Sequence, residues 1–176
     1  MSFTIDWDHI GSDGSQTFGA GTAQEVTVTV ATPKNSECKE WFVENGMLKN
    51  WDVSKDSSAD IRFDTPVENV TFTLLDVDAL DEITIMTKDE NGNPVPVEFE
   101  ITGSHHISGN TVTGTSTTHA GPGMDDGSQD LTVTIAGPVS TFWIVLDDGP
   151  ERSYSGAVAV SDIQFDVASI LDGTVE

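Results

Sequence analysis

Glu25-Val26-Thr27-Val28-Thr29-Val30 alternates polar and apolar residues without a break. Successive side chains on a strand point to opposite sides of the sheet, so period two is the signature of a strand that buries one face. The same alternation recurs in Ala59-Asp60-Ile61-Arg62-Phe63-Asp64, Asn69-Val70-Thr71-Phe72-Thr73-Leu74, Glu82-Ile83-Thr84-Ile85-Met86, residues 94–101, Leu131-Thr132-Val133-Thr134-Ile135 and Ala157-Val158-Ala159-Val160. Thr and Val fill these runs, and both suit a pleated, half-buried surface better than a helix. Phe142-Trp143-Ile144-Val145-Leu146 is apolar throughout, which predicts a strand covered on both faces, with Trp143 in the core. Asn91-Gly92 between two alternating runs is a hairpin signal, because both residues accept the positive φ of a tight turn. Gly109-Asn110, Gly137-Pro138 and Asp64-Thr65-Pro66 mark further strand boundaries. The reading is an all-β antiparallel β-sandwich, jelly-roll-like, with about 9–11 strands.

Two stretches interrupt the pattern. Residues 36–52 read as an irregular insertion holding one helical turn or a wandering loop, since Gly46 argues against a long helix. Residues 113–129, rich in Thr, Ser, Gly and Asp, read as a long exposed loop. The 176 residues otherwise form one domain, 1–176, with enough chain for a real core and hardly enough for two. One echo runs through it. Asp60-Ile61-Arg62-Phe63-Asp64-Thr65-Pro66-Val67 leads to a strand ending at Leu74-Leu75-Asp76, and Thr132-Val133-Thr134-Ile135-Ala136-Gly137-Pro138-Val139 leads to one ending at Leu146-Asp147-Asp148. Each copy is a strand, a Pro-Val turn, an apolar strand and an acidic exit, so the pair reads as related hairpins within one sandwich.

Charge narrows the function. Seven Lys plus Arg against 30 Asp plus Glu give a formal net charge of −23. Such a surface cannot replace the counterions of a nucleic acid, and it is repelled by anionic lipid. No apolar run reaches the length of a spanning helix, so membrane insertion is not expected, and Met1 to Asp6 lacks the basic start and apolar stretch of a signal peptide. A single cysteine, Cys38, excludes an internal disulfide and a thiolate zinc cluster.

The turn Pro66-Val67-Glu68-Asn69-Val70-Thr71-Phe72-Thr73-Leu74-Leu75-Asp76-Val77-Asp78, the segment 89–97, Ala136-Gly137-Pro138-Val139-Ser140 and the closing Val160-Ser161-Asp162-Ile163-Gln164-Phe165 carry a resemblance. Over residues 60–166 the chain resembles β-sandwich modules of marine alphaproteobacterial surface and secreted proteins, which often accompany hemolysin-type calcium-binding repeats. The resemblance implies a non-catalytic jelly roll similar to carbohydrate-binding and adhesion domains. The glycine-rich nonapeptide repeats of those proteins are absent from this sequence, so their calcium chemistry does not carry over.

Calcium, a hard cation that takes oxygen ligands, is the cofactor the acids suggest. Asp76, Asp78 and Asp81 are the leading metal candidates: the first two share a side if their strand continues, and the third opens the next strand. The bland alternative is an acidic turn facing solvent. Asp147, Asp148 and Glu151 form a second acidic turn, with Asp148 aligned to Asp76 by the echo, and Asp125, Asp126 and Asp130 a third. His105 and His106, being adjacent on a strand, face opposite ways and read as an exposed pair rather than one ion's ligands.

For a ligand, Trp41 and Trp51 lie in the irregular stretch and are the candidate surface rings for sugar stacking, against the alternative that both plug one end of the sandwich. No G-x-S-x-G elbow, phosphate-cradling loop or H-E-x-x-H pair occurs, so no catalytic residue is assigned and an enzyme is not expected. Two readings stand. One is a module for glycan binding or adhesion, calcium-assisted, whose partner is a polysaccharide or cell-surface glycan. The other is a structural subunit (decoration, spike or tail-fibre protein) of a virus infecting marine bacteria, forming a homo-oligomer or docking on a particle scaffold. Both place the chain outside the cell or at a virion surface.

Overall fold

Every alternating run becomes a strand, and most of them gather around one unusually long strand. The computed structural model describes residues 1–33, 41–50, 57–78, 81–101, 103–115, 129–147 and 157–168. In chain order its elements are β1 (Ser2–Ile5), α1 (Trp7–Ile10), β2 (Gly14–Phe18), β3 (Val26–Ala31), β4 (Phe42–Glu44), β5 (Met47–Asn50), β6 (Ser57–Leu75), β7 (Glu82–Lys88), β8 (Val97–Ile101), β9 (His105–Ser108), β10 (Thr111–Gly114), β11 (Leu131–Ile135), β12 (Val139–Asp147), β13 (Val158–Val160) and β14 (Ile163–Val167). All pairings are antiparallel.

β6 belongs to two sheets. Its first half pairs with β3 on one side and β12 on the other, giving a first sheet ordered β2-β3-β6-β12-β7-β10-β9. Its second half pairs with β11 on one side and with β14 and β13 on the other. The second sheet is therefore β8-β11-β6-β14-β1, with β13-β5-β4 continuing beside the end of β6. Between β7 and β12 the chain changes sheet at each step, β7 to β8, then the β9–β10 hairpin, then β11, then β12, which is jelly-roll-like wiring. The inner faces meet through aromatic rings: Phe63 lies 5.2 Å from Phe165, and Phe72 stacks on Phe142 at 5.6 Å. Ile5, Val28, Ile61, Val70, Leu74, Ile85, Val133 and Ile144 fill the same cluster. The result is an all-β antiparallel sandwich.

The sequence places a boundary at Asp64-Thr65-Pro66, yet β6 runs through it. The buried apolar positions are odd-numbered through Val67 and even-numbered from Val70, with Asp60 buried beside them on the other face. One added residue near Asn69, whose φ is 52°, makes the switch: the register with β14 shifts between Glu68 and Thr71, while the register with β12 has already shifted between Arg62 and Val67. Pro66 sits where the strand leaves one sheet for the other, so its missing N–H breaks no ladder.

Four other expectations are corrected. There are 14 strands among the described residues rather than 9–11. The stretch 36–52 holds the β4–β5 hairpin, closed by Asn45 and Gly46 with φ of 54° and 70°, as a two-residue turn requires. The single helix among the described residues is α1, capped by the Asp6 carboxylate accepting from the Asp8 N–H at 2.9 Å. Asn91-Gly92 does turn the chain, but β7 and β8 do not pair: β7 joins β12 and β10, and β8 joins β11. Pro94 and Pro96 have no N–H to offer β7. Thr87 Oγ1 instead accepts from Val95 N and donates to Val95 O, and the chain crosses to the other sheet. The long loop read at 113–129 begins later, because Thr111–Gly114 is strand, and 116–128 lies outside the described residues.

Candidate functional site

Two places on this frame carry chemistry. The first is the corner where β6 ends and the chain passes to β7. Leu75 is the last strand residue, and Asp76 takes φ of 64°, which turns the chain out of the sheet. Asp76 N donates to Asp130 Oδ1 at 3.2 Å, Val77 N to the Gln129 carbonyl at 3.2 Å, and Asp81 N to the Asp78 carbonyl at 2.7 Å. His105 Nε2 stands 3.0 Å from the Val77 carbonyl and 3.2 Å from the Gln129 carbonyl, so this nitrogen carries the hydrogen. His105 is thus half-buried, a correction to the exposed pair; His106 is exposed and faces the other way, as adjacent strand residues must.

The solvent-facing reading of the acids fails here. Asp76, Asp78 and Asp81 are only 1%, 3% and 4% exposed. Burial, with the like charges of Asp78 and Asp76 beside it, pushes the Asp81 carboxyl up to about 8. Asp81 Oδ2 is enclosed and has no hydrogen-bond partner. The three acids come together through the turn, not by continuing a strand. Among the described residues, no three His, Cys, Asp or Glu side chains form a group spaced to hold an ion by themselves. Asp148, Glu151, Asp125 and Asp126 lie outside the described residues, and Asp147 sits opposite Glu82 in the β12–β7 ladder.

Gly114 closes this corner, its N–H donating to the Asp81 carbonyl at 3.0 Å. A Cβ there would lie 2.6 Å from the Asp78 carbonyl oxygen and 2.8 Å from that of Val77. Backbone on both sides cannot step aside as a side chain would. Gly114→Ala is therefore expected to destabilise the fold by roughly 1–3 kcal/mol, read as a lower thermal midpoint.

The second place is the outer face of the first sheet. β12 buries Phe142, Ile144 and Leu146 but leaves Trp143 and Val145 half-exposed, so the two-sided burial predicted for this run, and the core position of Trp143, are corrected. Trp143 lies between Asp60 on β6 and Met86 on β7. Met86 is 49% exposed, a large apolar side chain left in solvent. Lys88 Nζ stands 5.5 Å from the Trp143 ring centroid, and Arg62 is 3.8 Å from Asp60. A cavity of about 330 Å³ opens among Ser57, Ser58, Met86, Trp143 and Val145, and one of about 270 Å³ adjoins it across Met86. This face escaped the sequence reading because an unbroken apolar run hides which of its members face out. The signal was the polar partner set, Ser58, Asp60 and Arg62, alternating on the neighbouring strand.

Trp41 does not join it. Its ring is 3% exposed and packed in the core, because it leads into β4 against the end of the sandwich, so the surface stacking role is corrected in favour of a core plug. Trp51 lies outside the described residues. No helix among the described residues is long and apolar enough to cross a membrane.

No family model and no curated protein matches the chain, so the resemblance to marine alphaproteobacterial modules finds no counterpart. Among solved structures, the chain is similar to the enzymatically active domain of tailspike protein 4 of bacteriophage CBA120 (13% identity, TM-score 0.37), covering 93% of this chain and 20% of that one. It is similar to the K1 cleaved adhesin domain of Lys-gingipain from Porphyromonas gingivalis (11%, TM-score 0.35), covering 96% of this chain and 99% of that one. It is also similar to the isomalto-dextranase of Arthrobacter globiformis (10%, TM-score 0.34), covering 95% of this chain and 32% of that one. None of these TM-scores reaches 0.5, and no function passes from these proteins to this chain.

Proposed function

We propose that this chain is a non-catalytic binding module that holds a glycan against the outer face of its first sheet, at a cell or particle surface. The observation that carries the reading is Trp143: a half-exposed indole beside an exposed Met86, over an open cavity, with Ser58, Asp60 and Lys88 around it. The apolar side of a sugar ring packs on an aromatic face, and hydroxyl, carboxylate and ammonium groups at its edge reach the sugar's hydroxyls. A net charge of −23 repels polyanions at long range, which favours a neutral, hydroxyl-rich polysaccharide.

The test is retention on an array of neutral polysaccharides. Wild type is expected to bind at least one class, and Trp143→Ala to lose at least tenfold in affinity while its thermal midpoint stays near wild type, since the ring lies outside the core. Glu98→Gln, a change on β8 in the other sheet, serves as the control and should bind as wild type does. Absence of binding by wild type across the array, or undiminished binding by Trp143→Ala, sinks the proposal.

A further inference from the structure

We propose that the free edge of β8 takes an added strand from a partner protein, an extended segment in which Lys or Arg alternates with apolar residues. This inference stands apart from the glycan reading, since β8 lies in the second sheet and Trp143 in the first.

β8 ends its sheet. Among the described residues it pairs with β11 alone, so the N–H and C=O groups along its other side have no strand to meet. Its side chains divide by parity. Val97, Phe99 and Ile101 stand opposite Ile135, Val133 and Leu131, which are buried, and so share the inner face with them. The three on β8 are less well covered: Val97 and Phe99 are half-buried, and Ile101 is 39% exposed. Glu98 and Glu100 are exposed on the outer face. Among the described residues the Lys and Arg side chains are engaged elsewhere, Lys49 with Glu44, Arg62 beside Asp60 and Lys88 over Trp143. One more strand would cover the first set and oppose the second, provided that it alternates in the same way.

The charges choose the occupant. Carboxylates on an edge strand keep other edges away, those of identical chains above all. A second copy laid along β8 would set Glu98 and Glu100 against their own kind, and like charges directly opposite are destabilising. A strand carrying Lys or Arg at the facing positions turns the same two groups into cross-strand ion pairs. Main-chain hydrogen bonds then supply affinity, and the alternate side chains supply specificity. The other edges lack this combination. β1, β2 and β9 carry no carboxylate, and Phe3 on β1 is already packed on Phe18 and Phe165. On β4, Glu44 is held by Lys49 at 2.9 Å. The acidic character continues past the start of β8, where Val95 and Pro96 line a cavity of about 660 Å³ that Glu68, Asp89 and Glu90 also border. That cavity leaves room for the end of an added strand and a further cation on it.

The experiment uses the full 176-residue chain and a fluorescein-labelled peptide alternating Lys and Val, long enough to span β8, with binding read by anisotropy. Physiological salt damps the pull of the overall charge of −23. Wild type is expected to bind this peptide at least tenfold more tightly than a scrambled peptide of the same composition. The same margin is expected over the alternating peptide with its backbone amides methylated, which keeps the charges and removes the donors. Glu98→Gln combined with Glu100→Gln should weaken binding roughly fivefold at an unchanged thermal midpoint, as the loss of two cross-strand ion pairs requires. Asp8→Asn combined with Glu25→Gln removes two exposed carboxylates from other parts of the surface and should bind as wild type does. No binding by wild type, equal binding of the scrambled or methylated peptide, or equal losses in the two double variants would each overturn the proposal.

Discussion

Asp81→Asn is expected to raise the thermal midpoint of the metal-free protein at pH 8 and to flatten its fall with pH. The carboxyl is pushed up to about 8 in the folded chain, against 3.8 for the free side chain. Between those values the folded state keeps a proton that the unfolded state has released. Stability is therefore whole below about pH 4, declines as pH rises toward 8, and levels off above it. The total can reach a few kcal/mol, since each unit of difference corresponds to about 1.4 kcal/mol. The titratable groups around Asp81 are Asp78 and Asp76 from the exit of β6, with Asp130 bonded to Asp76 from the entry to β11 and His105 reaching the same turn from β9. Asp162, also held above its ordinary value by partial burial, adds a slope of the same sign. Midpoints measured from pH 4 to pH 9 in EDTA decide the matter: wild type should slope downward and Asp81→Asn should lose most of that slope. Parallel curves for the two proteins would show that Asp81 titrates as an ordinary exposed acid.

Much of this frame was legible in the residues, and the reasons are local. Glu25 to Val30 and Asn69 to Leu74 declare their strands because one face is buried and the other is not, which writes the alternation directly into the chain. The echo between the two Pro-Val segments turns out to be a pairing rule. Val67 faces Val139, the strand before each Pro-Val pairs with the strand after the other, and the two units embrace about that point. Sequence showed two similar hairpins; only the register reveals that neither is a hairpin and that the halves of one are partners to the halves of the other. Asn91-Gly92 failed for a related reason. A turn signal says that the chain reverses, while Pro94 and Pro96 decide whether the returning segment can join the ladder it left.

The candidate sites were legible in opposite degrees. Asp76, Asp78 and Asp81 stand close enough in sequence for their meeting to be foreseen, though their burial was not, because carboxylates at strand ends are normally solvated. The Trp143 face was invisible, since its partners come from β6 and β7 and only the sheet order brings them side by side.

Trp41 and Trp143 make the sharpest contrast, and the last expectation rests on it. Trp41→Ala should destabilise the fold by about 3–5 kcal/mol, the range for removing a fully packed aromatic ring, and so lower the midpoint by roughly 10 °C. Its ring is enclosed at the end where β4, β5 and the core meet, and no neighbouring backbone can collapse into the space of an indole. Trp41→Phe should be far milder. It keeps most of the ring and removes an indole N–H that is buried without an acceptor, which offsets part of the lost packing. Thermal or urea unfolding of Trp41→Ala, Trp41→Phe and Trp143→Ala orders the three: the first well below wild type, the other two near it. Equal midpoints for Trp41→Ala and wild type would put the Trp41 ring back on the surface, and a collapse of Trp143→Ala would take the other ring off it. Because the two tryptophans are predicted to fail in different assays, one in stability and the other in retention on glycan, the pair separates what holds the sandwich together from what the sandwich holds.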